Sequence, residues 1–165
     1  MKATGKHMTR VRWPRGKTID LLANKVRASR EKILNGRIVA VDPGTYHAGF
    51  AVFEATKLKT SGVIDMPEKM EINDRLTYLY DELTKVAGKP DVMALELLRG
   101  QMAHAYLVWS AGVAVAAVRA PVLLEIPVVL WKAATDEGYE KSDQNDAQML
   151  GRALIWFAKD LIYPV

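Results

Sequence analysis

The chain has 165 residues, half of them hydrophobic and a quarter charged, and no cysteine. This is the make-up of a single globular domain, and it excludes a disordered chain, a disulfide framework and any thiolate metal site. The net charge of +4 is unevenly placed: eleven basic residues and two acids precede Val39, a net +9, and the remainder carries −5.

Residues 1–36 are expected to form a basic arm. Within it, residues 18–34 place Ile19, Leu22, Val26 and Ile33 at helical spacing, which predicts an amphipathic helix ended by Asn35-Gly36. Arg10, Arg12, Arg15 and Lys17 are the arm's candidate contacts to a polyanion such as nucleic acid.

Residues 37–165 read as an alternating α/β domain. Arg37–Asp42 (RIVAVD) is a β-branched strand, residues 48–54 a second and residues 58–65 a third, with Ser61-Gly62 as a candidate bulge. Their closeness predicts an antiparallel meander. A helix over 71–87 stops at Gly88-Lys89-Pro90. Residues 91–97 (DVMALEL) form a short buried strand, and residues 101–119 a helix rich in small residues. Val122–Ile126 is the fifth strand, and 143–161 the last helix. The longest apolar run, 111–118, is interrupted by Gly112 and closed by Arg119 and Pro121, so no membrane span is expected. With no secretory signal pattern either, the expected location is the cytoplasm.

Four acids stand where acids are costly or specifically placed. Asp42 ends a strand and enters Pro43-Gly44, Glu96 lies between Leu95 and Leu97, and Asp143 and Asp146 share one helix face. Carboxylates brought together away from water require cations or partners. Mg²⁺ prefers such oxygen ligands. Two ions held this way can activate water and stabilise the leaving oxygen of a phosphodiester. Taken singly, each has a plainer explanation: an Asp-Pro-Gly turn, an edge-strand glutamate, acids serving a helix dipole.

The ordered set is more specific. Residues 38–54 (IVAVDPGTYHAGFAVFE) resemble the opening hairpin of the RuvC family of Holliday-junction resolvases. Residues 94–97 (ALEL) resemble the family's second acidic motif, and 143–150 (DQNDAQML) its last. The resemblance covers about residues 37–161. It implies an RNase H-like fold, a central mixed five-stranded sheet flanked by helices. It also implies a structure-specific endodeoxyribonuclease with Asp42, Glu96, Asp143 and Asp146 as metal ligands. Two Mg²⁺ per site are implied, with Mn²⁺ able to substitute. The substrate would be branched DNA, a four-way junction cut by a homodimer, for which residues 101–119 are the candidate interface. Residues 127–132 (PVVLWK) resemble the segment that carries a lysine facing the scissile phosphate, which assigns Lys132 to charge stabilisation. Lys141 is a second cation beside the site.

The chain departs from the family pattern in two places. The stretch from Lys132 to Asp143 is short, so a helix there is expected to be reduced or absent. Where the family often carries a junction-stacking aromatic, this chain has Arg99, which can stack and pair with phosphate. Tyr106 and Trp109 on the next helix are alternatives, or else packing residues. His47 follows the Asp-Pro-Gly turn, from where it can approach the metals or substrate, although a surface-loop role is the plainer reading; His104 reads as a helix-face residue. With His7 they make no zinc set. No G-x-S-x-G elbow, P-loop or dinucleotide fingerprint is present. Residues 141–147 (KSDQNDA) also resemble the last motif of DEDD-type transposases and recombinases, whose catalytic domain is one alternative. A non-catalytic nucleic-acid-binding module on the same scaffold is the other.

Overall fold

The structure is a computed structural model that describes residues 11–44, 46–97, 105–136 and 138–161, with the backbone alone for 105–111. Five strands form one sheet: β1 (Arg37–Asp42), β2 (His47–Glu54), β3 (Lys57–Asp65), β4 (Val92–Glu96) and β5 (Val122–Ile126), in the order β3-β2-β1-β4-β5. β1, β2 and β3 pair antiparallel, whereas β1–β4 and β4–β5 pair parallel. The sheet is therefore mixed. The β2–β3 hairpin turns through Ala55 and Thr56, both at positive φ (47° and 72°), the backbone that a two-residue hairpin loop demands.

Side-chain alternation gives the sheet two buried faces. Ile38, Ala40, Ala51, Phe53, Val92, Ala94, Leu124 and Ile126 belong to one core, beneath the N-terminal helices, α5 (Val128–Ala133) and α6 (Asp143–Asp160). Val39, Val41, Phe50, Val52, Met93 and Leu95 belong to the other, under α3 (Ile72–Ala87) and α4 (Ala105–Val118).

Four details differ from the sequence-based reading. The stretch 18–34 is two helices, α1 (Lys17–Ala28) and α2 (Arg30–Asn35), broken at Ser29, whose N–H bonds to Lys25 O and Val26 O. Their apolar side is part of the main core: Val26 and Ile33 are wholly buried with residues of α6 and the sheet. Packing therefore runs across the boundary drawn at residue 36, because a helix with one apolar face must bury it somewhere. The irregularity of β3 lies at Lys59, skipped between the Val52–Thr60 and Phe53–Leu58 pairs, and not at Ser61-Gly62. The short helix α5 follows Pro127, where the sequence pattern predicts no helix. α4 spans Ala105–Val118, and residues 98–104 ahead of it lie outside the described part. On its described side chains, Ala114, Ala117 and Val118 are buried, and Gly112 and Ala116 are exposed. Among the described residues no helix is long and apolar enough to cross a membrane.

Candidate active site

Asp42 is the last residue of β1 and Glu96 the last of β4. These strands are parallel, with Ala40 beside Ala94 and Val41 beside Leu95, so both carboxylates finish at the same sheet edge. Both continue the alternate positions, 38 and 40 on β1 and 92 and 94 on β4, that pack beneath α6. Asp42 and Glu96 therefore leave the sheet on the α6 side. β5 ends at this edge too, and Pro127 starts α5 there, which carries Trp131 and Lys132.

α6 is held unusually close to the sheet. A Cβ on Gly49 of β2 would lie 1.8 Å from the carbonyl oxygen of Asp143, and one on Gly151 of α6 would lie 2.3 Å from the ring of Phe53. Glycine at both points allows the helix to approach. Gln144 and Gln148, one turn apart, both donate to Ser61 Oγ on β3, at 2.9 and 2.7 Å. Ser142 caps the helix, its Oγ accepting from Asn145 N at 3.1 Å. Asp143 and Asp146 thus occupy the first turn, where the helix dipole favours negative charge.

The four carboxylates line one cleft of about 540 Å³, with Lys132, Lys141, His47, Trp131, Thr135 and Tyr139 also on its wall. Burial, followed by the charges of Glu96 and Asp146 and a hydrogen bond with Glu96, pushes Asp42 up to about 8. Asp146, only 6% exposed, is raised by burial and by Glu96, while Lys132 pulls it the other way. The Tyr139 hydroxyl donates to Asp146 Oδ1. An aspartate whose folded pKa lies above its ordinary value favours the folded state at low pH. That contribution is lost as pH rises from near 3.8 toward about 8.

This excess of negative charge is the feature a hard cation relieves, and all-oxygen donors suit Mg²⁺ or Mn²⁺. Among the described residues, no group of three His, Asp or Glu side chains is already posed around one point to hold a metal ion. The carboxylates instead bond to what is at hand, Asp42 to Glu96 and Asp146 to Tyr139. The donor set fits a cation once these internal bonds are exchanged for it.

Asp42, Glu96, Asp143, Asp146, Lys132 and Lys141 are therefore brought together. Arg12 and Arg15 are not; they border a different cavity, and Lys17 borders a third. Arg10, Arg99, His7 and His104, and the side chains of Tyr106 and Trp109, lie outside the described residues. His47 is not a loop residue. It opens β2, lines the cleft and has Nδ1 2.7 Å from Asp65 Oδ1. Tyr139 and Trp131 are missed by sequence reasoning. Trp131 is 5% exposed, and its indole N–H has no partner among the described residues. Nothing in the local sequence marks Tyr139 as a partner of Asp146, since a loop places it there.

No family model matches the chain. The crossover junction endodeoxyribonuclease RuvC of Thermomicrobium roseum is 32% identical over 133 residues, 72% of this chain and 78% of that protein. The RuvC proteins of Bordetella parapertussis and Bordetella pertussis are each 35% identical over 68 residues, and the match spans 37% of their length. Among solved structures, T. thermophilus RuvC in complex with Holliday junction substrate superposes with a TM-score of 0.63 at 19% identity, over 75% of this chain and 95% of that one. A second Thermus thermophilus RuvC structure gives 0.60 at 16% identity, over 75% and 96%. These structures share the RNase H-like arrangement of a mixed five-stranded sheet between helices.

Proposed function

The chain belongs to the RuvC family, and on that premise we propose that it is a metal-dependent endonuclease that cuts the phosphodiester backbone of branched DNA, a four-way junction in particular. The observation that carries this reading is the cleft in which four carboxylates meet, crowded enough to push Asp42 up to about 8, with a lysine beside them.

Asp42, Glu96, Asp143 and Asp146 are the residues that would hold Mg²⁺ or Mn²⁺, two ions per site. When bound, these ions supply an activated water and neutralise charge on the leaving oxygen. The protein's own contribution is positional. The parallel pairing of β1 and β4 fixes Asp42 beside Glu96, and the Gly49 and Gly151 contacts fix the first turn of α6 over them. Tyr139 orients the Asp146 carboxylate. Lys132, close enough to lower the pKa of Asp146, presents an ammonium to charge developing on the phosphate. Such a donor acts in the transition state more than in the ground state. Lys141 adds a second cation at the cleft wall, and Arg99, Arg10, Arg12, Arg15 and Lys17 extend the grip on DNA.

Symmetric cleavage of a four-way junction requires two such sites, which a two-fold homodimer provides. The helix containing α4 is the proposed interface. Residues 1–36 are proposed as a DNA-gripping segment attached to the nuclease domain of residues 37–165.

The deciding experiment compares cleavage of a synthetic four-way junction with that of linear duplex of the same sequence, with and without Mg²⁺. Mg²⁺-dependent cutting confined to the junction is expected. Cutting that persists in chelator, or none on either substrate, would overturn the reading.

A further inference from the structure

We propose that the chain grips the phosphate backbone of one duplex arm of its DNA substrate at a basic, aromatic-walled cavity at the far end of α6, built by the N-terminal segment and separate from the catalytic cleft. The inference rests on the nuclease reading above and adds a second binding site to it.

The cavity measures about 670 Å³ and is bordered by Arg12, Arg15 and Arg27. Its wall holds Trp13 and Phe157, whose rings meet edge to face at 5.2 Å and 69°. Trp13 Nε1 donates to Asp160 Oδ2 at 2.7 Å, so the N-terminal segment is pinned to the last turn of α6. Arg12 and Arg15 are exposed, and Arg27 is half-buried. The Arg27 guanidinium reaches Asn24 through Nη1 at 3.2 Å, and its enclosed Nε has no partner among the described residues. A guanidinium held this way keeps most of its donor fork for an anion, and phosphate is the anion its planar geometry matches. Asp20 and Asp160 also border the cavity. Asp160 is engaged by Trp13, and the three guanidinium groups outnumber the two carboxylates.

Adjacency to the cleft argues for the occupant. Val128 lines both the catalytic cleft and a neighbouring cavity of about 390 Å³. Arg15 and Ile19 line that cavity and the basic one. The middle cavity also includes Gly16 and Lys17, where α1 begins. The helix dipole favours an anion there. One track thus leads from the carboxylates, past the start of α1, to Arg27. α6 gives its length. From Asp143 in the cleft to Asp160 at the basic cavity the helix rises roughly 26 Å at 1.5 Å per residue. That is about eight base-pair steps at 3.4 Å each. A DNA arm leaving the cleft along this track meets the arginines about eight base pairs from the cut.

The test uses full-length protein and a variant, Arg12→Gln/Arg15→Gln/Arg27→Gln, on four-way junctions with arms of about 5 or about 20 base pairs, across roughly 50–200 mM salt. On long arms the variant is expected to bind about 10- to 100-fold more weakly at low salt. Its log affinity against log salt should be shallower by about 2 to 3, near 0.9 for each phosphate no longer neutralised. On short arms, which end before the cavity, the two proteins should bind alike. Coincident slopes on long arms would overturn the proposal and leave a protein partner as the cavity's occupant. An equal loss on short and long arms would overturn the placement along the track. If the triple variant melts early, the exposed pair Arg12→Gln/Arg15→Gln carries the same comparison at about two phosphates. Wild-type protein that neither binds nor cleaves junctions would sink the nuclease reading and this site with it. Wild-type cleavage with unchanged slopes would sink the arm site alone.

Discussion

The two ends of β1 solve the same electrostatic problem in opposite ways. At its start, Arg37 is met within the chain: its side chain ion-pairs with Glu54, Nε donates to Ala87 O at 2.8 Å and Nη2 to Val86 O at 3.3 Å. Asp91 accepts from Arg37 N at 2.9 Å and returns its own N–H to Arg37 O at 2.9 Å. At the other end, five residues or roughly 16 Å along the strand, Asp42 faces Glu96, Asp143 and Asp146, and burial with their charge holds its proton up to about 8. Charges satisfied internally knit β1 to the end of α3 and the start of β4. Charges left in surplus weaken the folded state and create affinity for something outside the chain. Sites that do chemistry are commonly built at such a local expense.

The strongest way to break this contrast is Asp42→Asn. It removes charge at nearly constant shape, so Mg²⁺-dependent junction cleavage should fall by roughly 10³-fold or more, with junction binding largely kept. The same change should raise the melting temperature of metal-free protein at pH 8, because the surplus is relieved. In wild-type protein, stability in chelator should decline as pH rises from about 4 to 8, and Mg²⁺ should restore it. A flat pH profile with no Mg²⁺ effect would refute the surplus-charge account of this end, whatever happens to cleavage.

Lys132→Ala comes next, with an expected loss of roughly 10²- to 10³-fold in the single-turnover rate and little change in junction affinity. Lys132→Arg should rescue only in part, since a planar fork does not replace a compact ammonium. Weakened binding with an undiminished saturated rate would reassign Lys132 to simple phosphate grip.

Tyr139→Phe removes one hydrogen bond to Asp146, a net interaction of about 1 kcal/mol. The rate should drop by up to about 10-fold, and the acid limb of the pH–rate profile should move upward, because the Asp146 carboxylate loses a donor that favours its charged form. An unmoved profile would mean that Tyr139 only fills space.

The smallest effect on activity is expected at the closed end. Arg37→Ala should leave the cleavage rate within about two-fold while lowering stability by about 1–2 kcal/mol. The loss is modest because the ion pair is partly solvent-exposed. Denaturant melts and rates on the same protein would check it. A large rate loss at unchanged stability would mean that the two ends are coupled through β1.

Much of this architecture is legible in the residues alone. The β-branched run of β1, the short apolar β4 and β5 and the periodic α3 and α6 carry their own signals, because alternation and helical spacing are local properties of the chain. Asp42, Glu96, Asp143 and Asp146 stand out for the same reason: an acid closing an apolar strand, or two acids three apart on a helix, is visible in a few residues. Less local features are hidden. The amphipathic pattern from Ile19 to Ile33 reveals an apolar face but not its partner, so the packing of α1 and α2 into the main core cannot be read from it. The break at Ser29 and the skipped Lys59 are adjustments to neighbours, not to propensity.

Residue identity by itself determined the five strands, the periodic α3 and α6 and which acids are available. Tertiary structure decided where those acids meet. Parallel pairing aligns Asp42 with Glu96, and glycines at 49 and 151 let α6 settle over them through contacts between residues far apart in the chain. It also decided the partners that sequence spacing cannot encode, Tyr139 on Asp146 and Trp13 on Asp160. The pKa of Asp42 belongs to this second class. It depends on burial and on through-space repulsion from three other carboxylates, quantities that exist only once the chain has closed on itself.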